Sequence, residues 1–230
     1  MAVSLRDGDD PRFWNKFSLG ICDPEDKARI QAGRDWLRAE KIASLGKTRD
    51  GYLMEFRTAD RPWHAEFLPQ KLEITIGKEL PDFIDSFPGC NNDYAKANMV
   101  SPRLKTLIET HQTEEDGWQF FPVEILNKDG SLYGTYFVWW VHKVVDGIDE
   151  TSEGVKSVSG PVDGNHAWTY NGIKSPERLK LRKHVVGGLT AWIDFRFQPF
   201  ARIFISDALY QTMEEAGMTF FDADSVWSEV

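Results

Sequence analysis

Residues 136–141, with the sequence Tyr-Phe-Val-Trp-Trp-Val, constrain the fold of this chain more than any other segment. All of these side chains are apolar, so a strand formed by them needs apolar cover on both faces. Such strands lie in the interior of a sheet, between two other strands. The run is also far shorter than the roughly 20 apolar residues that cross a bilayer. We therefore predict a central strand here and no membrane partner.

This strand is the second half of a predicted β-hairpin. Residues 120–126 form the strand before it, and Asp129-Gly130 lies in the turn between the two. Asp-Gly is one of the stronger short hairpin signals, because the tight turn needs residues that tolerate positive φ. An acidic segment, residues 146–152, follows the hairpin.

Two helices are predicted from serine caps at their starts. Ser101 and Ser206 are each followed by a residue that suits the first helical turn, proline in one case and aspartate in the other. Apolar side chains then recur at helical spacing on one face of each segment. Gly217 ends the second helix, because glycine easily reaches positive φ. We predict strands at residues 202–205 and 218–221 on either side of this helix.

The first part of the chain gives less regular patterns. Asp23-Pro24 predicts the start of a helix, although Gly33 lowers the helix propensity of the segment that follows. Residues 51–76 predict several short strands, with period-two alternation clearest from 72 to 76. Residues 81–85 predict a short helix, because they begin with proline and aspartate.

These patterns together predict one α+β domain with a mixed or antiparallel sheet flanked by a few helices. Residues 1–79 form its N-terminal part, a helix with short strands, and residues 80–230 form its α+β core. The sequence contains no detectable internal repeat and no clear linker between domains.

The formal net charge of −9, from 27 basic and 36 acidic residues, limits the class of partner. Nucleic-acid binding needs a clustered basic surface, so we predict no nucleic-acid partner. An acidic chain suits a basic partner, because opposite fields speed their encounter. Solubility explains the same charge equally well, so the charge narrows the partners without identifying one.

The cysteines and the N terminus predict a cytoplasmic location. Cys22 and Cys90 lie far apart and match no metal or redox spacing, so we expect free thiols. Residues 1–10 lack the apolar stretch of a secretion signal.

No familiar catalytic or cofactor-binding motif occurs in the sequence. It lacks a Gly-x-Ser-x-Gly elbow, a phosphate-binding glycine loop, His-Glu-x-x-His and Cys-x-x-Cys. His166 lies close to Asp163, and such a pair can act as a general base, which leaves a small hydrolase as an alternative. We predict a binding protein that is not an enzyme and needs no cofactor or metal. A non-enzymatic adaptor is a further alternative.

Two irregular segments supply the predicted partner-binding residues. Residues 153–172 are rich in Gly, Ser, Asn and Asp and predict a long loop or a loose hairpin. Its aromatic side chains are favoured interface anchors, and an acidic turn near residue 115 could meet a basic partner. The predicted residues are Glu114, Glu115, Asp116, Asp163, His166, Trp168 and Tyr170.

Four pieces of the sequence carry a family resemblance. They are the Ser-x-x-Leu-x-x-Leu-Ile helix that starts at Ser101, the Phe-x-Pro-Val strand at residues 120–123, the strand from Tyr136 with the acidic segment after it, and the Ile-Phe-x-Ser-Asp-x-Leu segment at residues 203–209. In this order they resemble a bacterial immunity-protein family, first grouped around a myxobacterial member. Its members accompany toxins of polymorphic and type VI secretion systems.

The resemblance covers roughly residues 80–224. It implies an immunity protein that binds a cognate toxin and neutralises it by occlusion, without chemistry of its own. For a protein kept in the cytoplasm, that toxin would act in the cytoplasm. In one departure from the family pattern, Phe220 stands where a glycine is expected soon after the Gly-x-Thr of residues 217–219.

Overall fold

Two six-stranded sheets form the framework of the protein, where the sequence predicted one sheet. The computed structural model describes residues 1–13, 15–45, 62–85, 98–153, 155–157, 168–170, 178–194 and 203–230. Within these ranges the chain also forms a two-stranded ribbon and four α-helices. Both large sheets combine parallel and antiparallel pairs, so the predicted α+β single-domain class with a mixed sheet is confirmed.

The strands in chain order are β1 (Ala2–Asp7), β2 (Ser18–Gly20), β3 (Lys71–Ile76), β4 (Phe83–Ile84), β5 (Asn98–Val100), β6 (Trp118–Leu126), β7 (Leu132–Val141), β8 (Val144–Val145), β9 (Val155–Ser157), β10 (Trp168–Tyr170), β11 (Lys180–Leu181), β12 (Ala191–Asp194), β13 (Ile203–Ser206) and β14 (Phe221–Glu229). The helices are α1 (Pro24–Leu45), α2 (Pro102–Thr110), α3 (Lys183–Val186) and α4 (Asp207–Glu215), and a short 3-10 turn spans Ala65–Phe67.

The predicted hairpin and its central strand are both confirmed. The second sheet has the order β2-β3-β6-β7-β5-β4, so β7 lies between β6 and β5. The strands β6 and β7 are antiparallel, with Phe120 opposite Trp139 and Val123 opposite Tyr136. Gly130 has a φ of +81° in the turn between them, as the Asp-Gly signal predicted.

The two large sheets repeat one topology, although the sequence shows no repeat. In the second sheet the neighbouring strands are, in order, β4, β5, β7, β6 and β3. In the first sheet they are, in order, β12, β13, β1, β14 and β11. In both series the first three pairings are antiparallel and the last is parallel. A helix follows the second strand of each series, α2 after β5 and α4 after β13. The fold is therefore two related β-β-α-β units.

The serine caps of α2 and α4 occupy equivalent positions in the two units. The Oγ of Ser101 accepts a hydrogen bond from the N–H of Leu104 at 3.2 Å, and the Oγ of Ser206 accepts one from Leu209 at 3.2 Å. Each helix buries the residues three and seven positions after its cap, which are Leu104 and Ile108 in α2 and Leu209 and Met213 in α4. Both capped helices are confirmed.

One apolar core joins both units, and two further cores cover the outer faces of the sheets. The shared core contains Val3 of β1, Trp139 of β7, and the buried leucines of α2 and α4. Trp140 lies in the core on the outer face of the second sheet. Trp192 and Trp227 lie in the core on the outer face of the first sheet. Most of the tryptophan side chains that the structure describes are therefore used for packing.

The helix predicted at residues 81–85 is wrong. Phe83 and Ile84 form strand β4 instead, paired with Val100 and Met99 of β5. Asp82 was expected to lie in the first turn of that helix, but its side chain binds α2 and the corner after α4, as described below. Phe83 and Ile84 are both fully buried in the strand, whereas a short helix at the surface would leave part of these side chains exposed.

The last strand begins later than predicted. Residues 218–220 form a corner, and β14 runs from Phe221 to Glu229. Phe220 has a φ of +64°, outside the range of a β-strand, so the strand cannot include it. Glycine, the residue that the resemblance leads us to expect near this position, reaches positive φ without strain.

The N-terminal helix is confirmed, and the structure gives a reason for its glycine. Gly33 is buried in α1, where an added Cβ would lie 2.8 Å from the Cβ of Phe67. Glycine therefore allows the 3-10 turn to pack closely against the helix. The strand predicted at residues 72–76 is confirmed as β3, and residues 51–61 lie outside the described ranges. No helix in the described part of the chain is long and apolar enough to cross a membrane.

Candidate partner-binding surface

Glu114 and Glu115 lie at the surface, in the turn that joins α2 to β6. Both side chains are exposed, and that of Glu115 is 75% exposed. Glu115 pairs with Lys143, whose Nζ lies 4.0 Å from the carboxylate. An ion pair of this length at the surface contributes little to stability. These two carboxylates are therefore available to a partner.

Asp116, the third acid of this turn, holds the fold together instead. Its Oδ1 accepts hydrogen bonds from the backbone N–H groups of Thr190 at 2.7 Å and Ala191 at 3.3 Å, at the start of β12. Its Oδ2 accepts hydrogen bonds from the N–H and the hydroxyl of Thr113, at 2.9 and 3.0 Å. The carboxylate thus joins the corner after α2 to the first sheet. Sequence alone grouped it with its exposed neighbours.

The corner after α4 contains the same connection with the residue types exchanged. Asp82 precedes β4 as Thr190 precedes β12, and each accepts a hydrogen bond on its carbonyl from a capping serine, Ser101 at 2.8 Å and Ser206 at 2.9 Å. The N–H of Asp82 donates to the hydroxyl of Thr219 at 2.9 Å, just as the N–H of Thr190 donates to Asp116. Thr219 therefore corresponds to Asp116. At each corner an aspartate and a threonine are hydrogen-bonded to each other, a pair here called the Asp–Thr clip.

Comparison of the two corners indicates which residues the fold requires. Residues 111–117 connect α2 to β6, whereas residues 216–220 connect α4 to β14, two residues fewer. Because both corners position an Asp–Thr clip, the shorter connection is sufficient for this purpose. Glu114 and Glu115 lie in the longer turn without any part in the clip. The fold at this corner therefore does not depend on these two side chains.

The Asp82 carboxylate accepts four hydrogen bonds, as many as the Asp116 carboxylate at the other corner. Its oxygens accept hydrogen bonds from Ser101 Oγ at 2.6 Å, from Arg103 at 2.7 Å, and from the N–H and hydroxyl of Thr219 at 3.0 Å. Burial raises the pKa of the Asp82 carboxyl, but the hydrogen bonds from Arg103, Ser101 and Thr219 outweigh burial and hold the pKa below its ordinary value. The group is ionised at neutral pH.

Two of the other predicted partner-binding residues belong to the ribbon. Trp168 and Tyr170 belong to β10, which pairs antiparallel with β9 and places them opposite Ser157 and Val155. This pairing confirms the loose hairpin predicted within residues 153–172. Asp163 and His166 lie outside the described residues, and so does Cys90; Cys22 is an exposed free thiol.

Most carboxylates of the acidic segment after β7 are engaged within the protein. Asp146 lies 2.9 Å from the guanidinium of Arg182. Hydrogen bonds from the hydroxyl and N–H of Thr151 lower the pKa of Asp149. Ser152 exchanges hydrogen bonds with the backbone of Lys180. This segment fixes β11 at the edge of the first sheet.

Two buried carboxylates that sequence reasoning missed act in the same way as Asp116. Asp26 of α1 accepts hydrogen bonds from the N–H groups of Gln70 and Lys71, both at 2.9 Å. Asp194 of β12 accepts them from Gly147 and Ile148, at 2.8 and 3.0 Å. Each accepts hydrogen bonds from two consecutive N–H groups that lie far away in the sequence, so no local sequence pattern predicts the contact.

The described residues offer little equipment for chemistry. None of their His, Cys, Asp and Glu side chains form a group of three or more that could hold a metal ion. His111 is held between α2 and α4, with ring nitrogens 3.0 Å from the carbonyl of Leu107 and 3.1 Å from the hydroxyl of Thr212. Burial lowers the pKa of His142, which keeps that ring neutral.

Comparison with known proteins identifies one family. The model of the immunity protein family (Imm11) matches residues 91–226, more than half of the chain. The matched region contains α2, the β6–β7 hairpin, the acidic turn and α4. Comparison with curated proteins gives no match.

Proposed function

Because the chain belongs to the immunity protein family (Imm11), we propose that it binds a cognate toxin and neutralises it by covering a surface the toxin needs, without catalysis. The observation that carries this proposal is the family match over residues 91–226. We further propose that the toxin is the effector domain of a polymorphic or type VI secretion protein that acts in the cytoplasm. This setting is the one that the resemblance of the four sequence pieces implies.

Charge supports a basic toxin as the partner. The chain carries a formal net charge of −9, so it repels other acidic proteins and attracts basic ones. Opposite charge raises the rate of encounter and makes binding sensitive to salt. A protein that must capture a toxin before the toxin acts benefits from a fast encounter.

The acidic turn supports a first contact site for that toxin. Glu114 and Glu115 are exposed, form no ion pair shorter than 4.0 Å with any other described residue and take no part in the clip at their corner. We propose that they meet basic side chains of the toxin. The ribbon residues Trp168 and Tyr170, together with Asp163 and His166, which lie between β9 and β10 in the sequence, form the second proposed contact, because aromatic anchors dominate many interfaces.

Coexpression tests the function. The probe is the C-terminal domain of a secreted toxin-like protein encoded next to this chain, expressed from an inducible promoter in a sensitive bacterium. We expect this domain alone to stop growth and the full chain to restore it. Growth arrest that persists although the full chain is expressed and folded would contradict the proposal.

A matched pair of variants tests the contact site in the same assay. Glu114→Lys with Glu115→Lys reverses the acidic turn, and Glu214→Lys with Glu215→Lys makes the same change of charge at the exposed C-terminal end of α4. We expect only the first pair to weaken protection. Equal protection by both variants would overturn the contact site while leaving the immunity function in place.

A further inference from the structure

Residues 8–13 and 15–17, here called the strap, carry the chain from β1 of the first sheet to β2 of the second. At its start, Gly8 lies against β14, where an added Cβ would be 2.8 Å from the carbonyl oxygen of Phe221. Near its end, the carbonyl of Lys16 packs so closely on Gly77 that a Cβ there would collide with it. The strap is thus fixed to both sheets.

Between these ends the strap is held by aromatic packing. The ring of Phe13 lies 5.9 Å from that of Phe220, and the ring of Phe17 lies 5.6 Å from it, both in edge-on geometry. Phe13 is only 7% exposed and Phe220 only 8%. Edge-on aromatic pairs are favourable beyond the area that they bury.

Phe220 is held in a strained conformation at this contact. Its φ of +64° lies in the left-handed region, which a bulky side chain rarely adopts. Such a conformation persists only where surrounding contacts outweigh its cost. The rings of Phe13 and Phe17 are the aromatic contacts of Phe220 among the described residues.

We propose that the strap is a device that couples the two sheets, with Phe220 as its latch. When Phe13 and Phe17 leave, Phe220 loses the packing that holds its backbone, and the corner at residues 218–220 relaxes. Coupling of this kind is reciprocal, so relaxation of the corner also frees the strap. The strap and the corner therefore open together, before the rest of the protein unfolds.

The coupling reaches the start of α2 through Thr219. This residue binds the Asp82 carboxylate, which in turn accepts a hydrogen bond from the capping Ser101. An open latch thus loosens the support of the α2 N terminus. In this way a segment that lies outside residues 91–226 controls part of the region that the family model matches.

Hydrogen exchange of the full chain, read by mass spectrometry, tests this device. We expect Phe13→Ala to speed exchange roughly tenfold both in the strap and at residues 218–221, while β7 stays protected. The control is Phe67→Ala, which removes a half-buried ring that packs on Trp63 instead of on Phe220. It should leave residues 218–221 unchanged.

Two results would overturn the proposal. In the first, Phe13→Ala speeds exchange in the strap alone, which would show that the corner does not depend on the strap. In the second, exchange rises equally in all segments, which would show that the strap does not open separately. Phe13→Leu, which keeps apolar bulk but lacks the ring, should give a smaller effect at the same two segments. Phe220→Gly should speed exchange in the strap; protection like that of the wild type would overturn the assignment of the latch.

Discussion

Asp82 and Thr219 bind each other through three hydrogen bonds, although they lie far apart in the sequence. The N–H of Asp82 donates to the hydroxyl of Thr219 at 2.9 Å, and the N–H and hydroxyl of Thr219 both donate to the Asp82 carboxylate at 3.0 Å. The pair joins β4 of one unit to the corner after α4 of the other. Asp116 and Thr190 make the reverse connection at the other corner.

Replacement of Asp82 by asparagine should destabilise the protein by about 1–3 kcal/mol at neutral pH, because an amide cannot accept the same set of hydrogen bonds from Arg103, Ser101 and Thr219. Chemical denaturation of wild type and variant measures this difference. An unchanged free energy of unfolding would contradict the role of the clip.

The contribution of Asp82 should also depend on pH. Its pKa in the folded protein is held below the ordinary value of 3.8, so the folded state favours the ionised form. The stabilisation is fully present above the pKa of the unfolded chain and is lost as the pH falls through the pKa of the folded protein. The gap between wild type and Asp82→Asn should therefore shrink below about pH 4. A gap that stays constant down to pH 2 would contradict this.

The acids of the turn after α2 should separate into two classes. Asp116→Asn should cost about 1–3 kcal/mol of stability, because it weakens the hydrogen bonds to Thr190 and Thr113. Glu114→Gln with Glu115→Gln should change the free energy of unfolding by less than about 0.5 kcal/mol, because both side chains are exposed. Thermal unfolding of both variants provides the measurement. Equal destabilisation would contradict the distinction between clip and surface.

Both serine caps should contribute to stability, Ser101 somewhat more than Ser206. Ser101→Ala and Ser206→Ala each remove one hydrogen bond of 3.2 Å to a backbone N–H, and each should cost about 1 kcal/mol. Ser101 also donates to Asp82, so its replacement should cost somewhat more. Urea titrations of the two variants test the order. A larger loss for Ser206→Ala would contradict this order.

Substitutions at Phe220 should show an unusual order. Phe220→Ala removes a buried ring at a cost of about 3–5 kcal/mol and keeps a side chain in the left-handed region. Phe220→Gly loses the same ring but recovers about 1 kcal/mol, because glycine reaches positive φ without strain. The glycine variant should therefore be the more stable of the two. The opposite order in thermal unfolding would show that the positive φ carries no strain.

Local signals predicted the local elements of the fold well. The serine caps, the Asp-Gly turn and the fully apolar strand β7 each depend on neighbouring residues, and the structure confirms all of them. The sequence did not predict the repeat of the two units, because the repeat consists of the same spatial order of strands in the two sheets. Equivalent positions such as Asp116 and Thr219 carry different residues, so little sequence similarity remains beyond the serine caps and the leucines that follow them.

Long-range contacts account for the errors. Asp82 and Pro81 satisfy the local rules for a helix start, but contacts with Ser101 and Thr219 fix the backbone before a strand. Asp116 follows Glu115 in an acidic turn, so its sequence context predicts an exposed side chain, yet its carboxylate accepts a hydrogen bond from the backbone just before β12. Sequence patterns record the type of a side chain, whereas burial by distant segments decides how that side chain is used.

Titration of the purified toxin domain into the full chain tests the central claim of binding most directly. We expect a stable complex whose affinity falls with added salt, because opposite charges attract the two proteins. Glu114→Lys with Glu115→Lys should weaken binding by at least roughly tenfold, and Glu214→Lys with Glu215→Lys should change it by less than about twofold. The absence of a complex with the wild-type chain at any salt concentration would contradict the proposal that this protein neutralises its toxin by binding.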